Sequence, residues 1–240
     1  MDIRAHIKKH YKLLYGKKMA CRINIPQGKN LAQNLGYPRE LLDIIPEKFW
    51  DNFFPCGNPL HYLKPQPGDW ILNLGSGAGI DSFAIFKKYG KSINIVSIDI
   101  VYEIINQAKN MAPNISKSDY IFHWICADGE NLPFHNLSFN HIIMNGVFNL
   151  FPNKLTLIKE VHRIIKPDGR LVVADLSSVN EVEEEFINEP DAWAWCMSGA
   201  YTEKNIISIL QLSGFNNIIF NIEEKGDIFN RIIFSCQRDS

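Results

Sequence analysis

A carboxylate that follows a glycine-rich turn is the feature of this sequence that most directly suggests chemistry. Asp99 ends the apolar segment Ile93 to Ile98, about twenty residues beyond the last glycine of a run from Gly75 to Gly79. A carboxylate with this spacing is placed to accept hydrogen bonds from the diol of a ribose. No arginine directly follows Asp99, which disfavours a 2′-phosphate and hence NADP.

The glycines interrupt an apolar run of strand length, Trp70 to Leu74, and a helical pattern resumes at Ile80. Glycine suits such a turn because it adopts positive φ and lets a ligand approach the backbone. The free N–H groups that begin the following helix point to the same place. The spacing is G-x-G-x-G and not the G-x-G-x-x-G of NAD sites, and many α/β domains use glycine turns for packing alone. Together with Asp99, the pattern predicts a nucleoside-type cofactor.

Two more polar residues follow apolar strands further along the chain. In an open α/β sheet the ligand lies beyond the carboxyl ends of the strands, and this rule places Gly75, Asp99, Asp128 and Asn145 at one rim. Asp128 is either an acceptor for an adenine amino group or a solvated loop carboxylate, and its own residue type leaves both open.

Alternating strand and helix patterns predict an α/β, Rossmann-like fold: a mostly parallel seven-stranded sheet with helices on both faces. The last two strands are separated by a short turn and are expected to pair antiparallel. The predicted strands are Trp70 to Leu74, Ile93 to Ile98, Tyr120 to Cys126, Phe139 to Met144, Arg170 to Ala174, Asn216 to Ile222 and Ile228 to Cys236. Helices are predicted at Tyr102 to Met111, Lys154 to Ile165 and Glu203 to Leu212.

Residues 1–68 are predicted to form a helical N-terminal cap on the substrate side, and residues 69–240 the cofactor-binding domain. The chain opens with apolar residues at helical spacing from Ile3 to Leu14. Residues 21–68 are irregular around two short apolar segments, Glu40 to Ile45 and Glu47 to Phe54, a pattern that indicates a cap and not a sheet. Prolines and a glycine just before Trp70 mark the boundary.

The composition is that of an ordinary globular protein, with 46% hydrophobic and 21% charged residues in 240. The net charge of −1 provides no bulk attraction to nucleic acid or to an anionic membrane. The N-terminus is too charged for a signal peptide, and no apolar run approaches the ~18 residues of a membrane span. We expect a cytoplasmic protein with a small-molecule or metalloid substrate and no nucleic-acid or membrane partner. The oligomeric state stays open.

Five widely scattered cysteines, an odd number, favour reduced thiols over a disulfide framework. Cys126 and Cys236 lie on predicted strands, and both are expected in the core. Cys56 lies in a loop and Cys196 beside a Ser-Gly pair, so these two are expected to be exposed thiols. Four histidines between residues 123 and 162 show no metal-ligand spacing, and no metal site is predicted.

Several segments resemble, in order and spacing, the class I S-adenosylmethionine (SAM) methyltransferases: LGSGAGID, SIDI, ADGENLPF and EVHRIIKPDGRLVVADL. More narrowly, the chain is similar to arsenite methyltransferases through YGKKMAC (Tyr15 to Cys21), LGYPRE (Leu35 to Glu40), PCGNP (Pro55 to Pro59), NGVFNL (Asn145 to Leu150) and WCMSGAY (Trp195 to Tyr201). The resemblance covers nearly the whole chain. The first set is shared by methyltransferases with many substrates, whereas CGNP and CMSGA are specific.

The resemblance implies that SAM is the cofactor, with Asp99 at its ribose and Asp128 with Gly129 at its adenine. The predicted cofactor-binding residues are Asn73, Gly75, Ser76, Gly77, Asp99, Ile100, Asp128, Gly129 and Asn145. The resemblance also implies that Cys21, Cys56 and Cys196 are catalytic thiols that hold trivalent arsenic, a soft centre matched by polarizable thiolates. Binding of this kind aligns the arsenic lone pair with the methyl group to be transferred.

Two positions depart from the family pattern. Gly146 stands where the family has a cysteine that, with the one matching Cys196, lies closest to the transferred methyl group. Asn73 stands where the family commonly has Asp, whose charge attracts the cationic end of the cofactor. The predicted function is methyl transfer from SAM to a thiophilic acceptor such as trivalent arsenic. Two alternatives stay open: a methyltransferase for a small organic or thiol-bearing substrate, for which Gly146 makes room, and a SAM- or metalloid-binding protein without turnover.

Overall fold

A computed structural model describes residues 2–16, 26–117 and 121–239. The described strands are β1 (Trp70–Leu74), β2 (Asn94–Asp99), β3 (Phe122–Cys126), β4 (Phe139–Asn145), β5 (Ile165–Ser178), β6 (Phe215–Glu224) and β7 (Phe229–Arg238). They form one sheet in the order β3-β2-β1-β4-β5-β7-β6. Strands β1 to β5 are parallel, and β7 runs antiparallel to both of its neighbours. The predicted fold class is confirmed.

The described α-helices are α1 (Ile3–Tyr15), α2 (Gly28–Asn34), α3 (Arg39–Ile44), α4 (Glu47–Trp50), α5 (Ile80–Tyr89), α6 (Tyr102–Ile115), α7 (Lys154–Ile164), α8 (Glu184–Ile187), α9 (Pro190–Ala194) and α10 (Glu203–Leu212). Successive residues of each strand point to opposite faces of the sheet, so the core has two parts. Ile71 packs with side chains from α2 to α6, whereas Leu72 packs with side chains from α7 and α10. Helices therefore cover both faces.

The bounds of β5 and α6 differ most from the sequence prediction. Strand β5 begins at Ile165 and not Arg170, because Ile165 pairs with Phe139 across an irregularity in the register. Helix α6 continues past Met111 to Ile115, although Pro113 lies inside it. Burial of Ile115 in the core stabilises this last turn and outweighs the hydrogen bond that proline cannot donate.

The N-terminal segment contributes to the same core as the sheet. Leu41 and Trp50 of the short helices pack in one apolar cluster with Ile71 of β1 and Ile143 of β4. The division of the chain into residues 1–68 and 69–240 stays a prediction. Within the described ranges, no helix is long and apolar enough to cross a membrane.

Candidate active site

A cavity opens at the carboxyl ends of β1, β2 and β4, with about 1040 Å³ of empty space that is partly open to solvent. Strand β1 lies between β2 and β4, so the strand order reverses here. Open α/β sheets bind ligands at such a point. Eight of the nine residues predicted to bind the cofactor line the cavity: Gly75, Ser76, Gly77, Asp99, Ile100, Asp128, Gly129 and Asn145.

The glycine loop and Asp99 hold each other in place. Gly75 and Gly77 have positive φ, as predicted from the sequence. The amide of Gly77 donates to Asp99 Oδ2, and the amide of Val101 donates to Oδ1, each at 2.9 Å. Burial raises the pKa of Asp99 to about 6, so the carboxylate is ionised at neutral pH. Each carboxylate oxygen keeps a further lone pair that can accept a hydrogen bond from a diol.

The hydroxyl of Ser76 indicates that a polar ligand fits against the glycine loop. Its Oγ atom is buried and has no hydrogen-bond partner among the described residues, although the residue lines the cavity. A buried hydroxyl without a partner costs about 1–3 kcal/mol. A cofactor with polar groups beside the loop would supply that partner, so the residues present fit a nucleoside-type ligand.

The N-terminal helix is tied to the loop that carries Asp128. The Arg4 guanidinium forms an ion pair with Asp128, and Arg4 Nη1 lies 2.6 Å from Glu130 Oε2. Tyr11 and Tyr15 of the same helix line the cavity. Helix α1 therefore forms one wall of the cavity. No sequence pattern indicates the Arg4–Asp128 pair, because 124 residues separate its members.

Asn73 is the one predicted cofactor residue that does not line this cavity. Its side chain is buried beneath the loop, where Nδ2 donates to Ser82 Oγ at 2.9 Å. Ser82 Oγ lies in turn 2.7 Å from Ser97 Oγ. These three side chains join β1, β2 and α5, so the described contacts of Asn73 support the loop from below.

Asp81, in the first turn of α5, brings to the cavity a carboxylate that is not among the predicted site residues. The Tyr37 hydroxyl donates to its Oδ1 at 2.6 Å, and Asn145 Nδ2 donates to its Oδ2 at 3.2 Å. Burial raises the pKa of Asp81 to about 6. The sequence does indicate this residue, because Asp81 lies two positions after Gly79, in the first turn of the predicted helix. The free amides at a helix N-terminus favour a carboxylate there.

Asn145 links the cavity to the segment that carries Cys56. Its Oδ1 accepts a hydrogen bond from the backbone N–H of Cys56 at 2.9 Å, and its Nδ2 donates to Gly57 O at 3.1 Å. The last side chain of β4 therefore fixes the backbone of a loop some ninety residues earlier in the chain. Asp81 and Cys56 are both held through this one amide.

A second pocket, with about 570 Å³ of empty space, adjoins the first and is lined by both Cys56 and Cys196. Gly146, Tyr11 and Phe54 line both cavities, so the two spaces meet at these residues. Cys21, the third predicted catalytic thiol, lies outside the described residues. We call the space lined by Cys56 and Cys196 the thiol pocket.

Two of the burial predictions for the cysteines, those for Cys196 and Cys126, are wrong. Cys196 is buried and Cys56 is half-buried, because the segment around Trp195 folds over the rim and Phe54 packs against that tryptophan. Cys126 is exposed, because it ends the edge strand β3. Cys236 lies in the core as expected. Burial raises the pKa of both Cys56 and Cys196 well above the usual range for a thiol.

A family model described as a methyltransferase domain matches residues 65–214. The chain belongs to this methyltransferase family. An arsenite methyltransferase of Halobacterium salinarum is 29% identical to it over 188 residues, which are 78% of this chain and 47% of that protein. This methyltransferase chain spans about half the length of the curated relatives it matches.

Two solved structures show the same fold. CrArsM, an arsenic(III) S-adenosylmethionine methyltransferase from Chlamydomonas reinhardtii, has a TM-score of 0.65 at 19% identity, over 84% of this chain and 73% of its own. Phosphoethanolamine N-methyltransferase 2 of Haemonchus contortus, in complex with S-adenosyl-L-methionine, has a TM-score of 0.66 at 14% identity, over 80% of this chain and 55% of its own. The predictions of a methyltransferase resembling the arsenite enzymes, and of SAM as its cofactor, are confirmed.

A buried charged network lies behind Cys196 in the methyltransferase. Asp175, on β5 three residues before the strand ends at Ser178, accepts hydrogen bonds from Asn149 Nδ2 at 2.9 Å and from the amide of Leu176 at 2.8 Å. Burial raises the pKa of Asp175 to about 6, and the Asp175 charge contributes to the raised pKa of Cys196. The rim rule that selected Asp99 and Asn145 would also have found Asp175, because it directly follows a predicted strand.

Lys154 supplies the opposite charge of this network. Its ammonium lies over the rings of Phe148, Trp193 and Tyr201 at 5.0–5.8 Å from their centroids and donates to Phe151 O at 2.8 Å. Burial lowers the pKa of Lys154 to about 8, and the Asp175 carboxylate opposes that shift. Cation–π contacts and one carbonyl thus replace much of the hydration of a buried lysine.

Gly146 has a backbone conformation that explains its residue type. Its φ is +65°, in the left-handed region that side chains with a Cβ disfavour. A Cβ placed there would lie 3.0 Å from Phe54 O and 3.6 Å from Cys56 Sγ. The carbonyl of Gly146 also accepts a hydrogen bond from Cys196 Sγ at 3.4 Å. In this methyltransferase, Gly146 therefore contacts the Cys196 thiol and lies next to the Cys56 thiol at the junction of the two cavities.

Proposed function

We propose that this protein transfers a methyl group from SAM to a thiophilic acceptor, and that trivalent arsenic is that acceptor. The observation that carries the proposal is the meeting of two cavities at Gly146, one lined by the predicted cofactor residues and the other by two thiols. A soft acceptor held by Cys56 and Cys196 would face the methyl donor across this junction. The similarity to arsenite methyltransferases supports the same substrate.

The cofactor residues have separable roles in this proposal. The amides of the glycine loop and Asp99 bind the nucleoside, and Ser76 gains the partner that it lacks. Asp81 supplies negative charge at the end of the cavity nearest the thiol pocket, because Asn145 joins it to Cys56. Bound SAM supplies an electrophilic methyl group on a sulfonium. Asp81 thereby takes over the attraction that Asn73, below the loop, does not provide.

Protonated thiols suit arsenous acid as the substrate. When a thiol replaces a hydroxyl of arsenous acid, an As–S bond forms, an As–O bond breaks, and the thiol proton leaves with the hydroxyl as water. No net charge is created, so the raised pKa values of Cys56 and Cys196 do not oppose binding. The bound arsenic keeps its lone pair for the methyl group, and fixed alignment of the two supplies a large part of the rate.

Asp175 acts as a positioning residue. Asn149 and the amide of Leu176 fix its carboxylate beside Cys196, and Lys154 offsets its charge. Cys196 itself has φ of +63°, an unusual conformation for cysteine that costs on the order of 1–3 kcal/mol. Such strain persists only where the surroundings determine it, and here it presents the thiol to Gly146 and the pocket.

One observation favours the organic-acceptor alternative. Gly146 places no side chain at the junction, where the arsenite enzymes are expected to carry a third thiol. A small organic or thiol-bearing acceptor would use this space. In either case residues 1–68 act as the substrate-side cap, and the substrate is a small molecule or metalloid and not a nucleic acid.

The decisive experiment follows the methyl group. Radiolabelled SAM is incubated with the protein, glutathione and arsenite, and in parallel with a panel of small thiols, while binding of S-adenosylhomocysteine is measured by calorimetry. Label in methylated arsenic that disappears in the Cys56→Ser/Cys196→Ser variant supports the proposal. Label only in an organic thiol favours the alternative acceptor, and cofactor binding with no labelled product identifies a binding protein without turnover.

A further inference from the structure

A cluster of metal-binding side chains lies outside both cavities, between the first helix and the segment that leads to Cys196. It consists of His6 and His10 on α1 and Asp191 on α9. One ligand atom from each residue lies within 4.8 Å of the other two. Among residues 2–16, 26–117 and 121–239, no other group of three His, Cys, Asp or Glu side chains brings its ligand atoms this close together.

The spacing on α1 makes the pair of histidines a natural chelate. Residues four apart lie on the same face of a helix, one turn above the other, so two imidazoles at i and i+4 can bind one ion. The third ligand comes from another element, with Asp191 Oδ1 3.3 Å from His6 Nε2. This pair lies far from the four histidines between residues 123 and 162, which show no metal-ligand spacing.

His10 provides an independent sign that a ligand is expected. The residue is only 8% exposed, and its Nε2 atom has no hydrogen-bond partner among the described residues. Its ring packs edge-on against Trp195 at 5.2 Å between centroids, which fixes its orientation beside the cluster. A buried nitrogen that lacks a partner is costly in a stable core and is satisfied when it coordinates a cation.

We propose that His6, His10 and Asp191 form a binding site for a divalent transition-metal ion, with Zn²⁺ as the best fit. Two imidazole nitrogens and one carboxylate oxygen are the donor set of zinc and related borderline ions, whereas Ca²⁺ and Mg²⁺ need more oxygen ligands. Three protein ligands leave at least one position for water. The exposure of Asp191, 78% for its side chain, gives the ion a path from solvent.

The site would join two elements that each border the candidate active site. Helix α1 contributes Arg4, Tyr11 and Tyr15 to the cofactor cavity, and α9 leads directly to Trp195 and Cys196. Tyr11 already donates to Ala194 O at 2.9 Å, so the two elements are in contact. A bound ion would fix α1 over the cavity, and it should therefore strengthen cofactor binding as well as raise the melting temperature.

The experiment uses the tag-free 240-residue chain, titrated with Co²⁺ and Zn²⁺ in the wild type and in the Cys56→Ser/Cys196→Ser variant. We expect one ion per chain, weak visible cobalt bands without the intense absorption of cobalt–thiolate bonds, and the same affinity in both proteins. His6→Ala and Asp191→Asn, both at accessible positions, should each weaken Zn²⁺ binding about tenfold or more and abolish the Zn²⁺-dependent rise in melting temperature. His135→Ala, a surface histidine far along the chain, is the matched control.

Two results would overturn the proposal. One is Zn²⁺ affinity in Asp191→Asn and His6→Ala equal to that of the wild type. The other is an intense cobalt–thiolate absorption that the cysteine variant loses, because the ion would then occupy the thiol pocket. Both readouts are independent of methyl transfer, so they test this site whether or not arsenic is the substrate.

Discussion

The cofactor cavity and the thiol pocket are neighbours, but they are built in opposite ways. The cofactor-binding wall of the cavity comes from residues at the carboxyl ends of β1, β2 and β4, each placed by its strand, and helix α1 forms another wall. The thiol pocket takes Cys56 from a loop before the first strand and Cys196 from a segment after the fifth. Gly146 lines both the cofactor cavity and the thiol pocket.

The cofactor cavity and the thiol pocket also differ in how ligand binding would change their stability. Ser76 Oγ lacks a partner among the described residues and the Asp99 carboxylate is partly buried, so a polar ligand that bonds to both would stabilise the cavity. Cys56, half-buried, and Cys196, buried, are neutral thiols that pack as small hydrophobic side chains until a soft acceptor binds. Substitutions in the two regions should therefore separate cofactor binding from acceptor binding.

The largest effect is expected at Cys196. Cys196→Ser replaces a soft donor by a hard hydroxyl, so affinity for trivalent arsenic should fall about 100-fold, or roughly 3 kcal/mol. Cys196→Gly should lose the same affinity, but it also removes the strain of a positive φ, so its melting temperature should not fall below that of the serine variant. Isothermal titration with arsenite and with S-adenosylhomocysteine, beside thermal unfolding, measures both.

Cofactor affinity should stay within about twofold in both Cys196 variants, since the loop and Asp99 are untouched. Full retention of arsenic binding together with a loss of thermal stability would show instead that Cys196 is a packing residue and that the acceptor lies elsewhere.

The next largest effect is expected on the cofactor side. Asp99→Ala should weaken binding of S-adenosylhomocysteine by about 1.5–3 kcal/mol, the scale for hydrogen bonds to a charged group. Asp128→Ala is the comparison, and its effect should be smaller because Asp128 is 35% exposed and already paired with Arg4. Calorimetry that gives unchanged affinity for the Asp99 variant would remove Asp99 from the site.

This contrast also explains how much of the molecule could be predicted from its sequence. Apolar periodicity gave the seven strands, and the rule that ligands lie at strand ends then gathered Gly75, Asp99 and Asn145 at one rim. The same rule, applied further, would have included Asp175, which directly follows the predicted strand Arg170 to Ala174. Residues placed by the strand that precedes them are predictable because local sequence fixes both the strand and its end.

The remainder of the site depends on tertiary packing that no local pattern carries. Burial of Cys196 follows from the fold of the Trp195 segment over the rim, and Arg4 meets Asp128 only because α1 closes the cavity wall. Asn73 was assigned from a resemblance at its position, but β1 directs it towards Ser82 below the loop. Contacts between segments far apart in the chain decide the first two cases, and the direction in which β1 points its side chains decides the third.

Gly146 allows the junction itself to be tested. Gly146→Cys would place a third sulfur near Cys56, and if arsenic is the substrate, turnover of trivalent methylarsenite should exceed that of the parent under reducing conditions. The left-handed φ should cost about 1–2 kcal/mol of stability. Gly146→Ala has the same strain without the thiol and is the matched control. No arsenic methylation by either parent or cysteine variant would move the organic acceptor ahead.

A smaller effect, on the order of 1 kcal/mol, is expected from the titration of Asp81. Burial raises the pKa of Asp81 to about 6, so the carboxylate loses its charge as the pH falls through 6. Affinity for cationic SAM should then fall between pH 7 and pH 5. Affinity for S-adenosylhomocysteine, which lacks the sulfonium charge, should fall less, whereas protonation of Asp99 would affect both ligands alike.

The ratio of the two affinities, measured by calorimetry across this pH range, isolates Asp81 from Asp99. Asp81→Asn should make that ratio independent of pH while keeping an oxygen for the Tyr37 hydroxyl. A ratio that changes with pH in the same way in the variant would place the responsible charge elsewhere.

The smallest effect is expected where α1 closes the cofactor cavity. Arg4→Ala removes the ion pairs with Asp128 and Glu130, but the Arg4 side chain is 43% exposed, so the loss should be about 0.2–1 kcal/mol of cofactor affinity. The difference in cofactor affinity between Arg4→Ala and the parent should vanish in 1 M salt, with a Debye length of about 3 Å.

Lys12→Ala is a matched control, because Lys12 Nζ lies 2.9 Å from Glu103 on α6 and holds the same helix in place away from the cavity lining. If both variants weaken S-adenosylhomocysteine binding equally, Arg4 acts only by holding α1 in place; a larger and salt-sensitive loss for Arg4→Ala would assign it to the cavity rim itself.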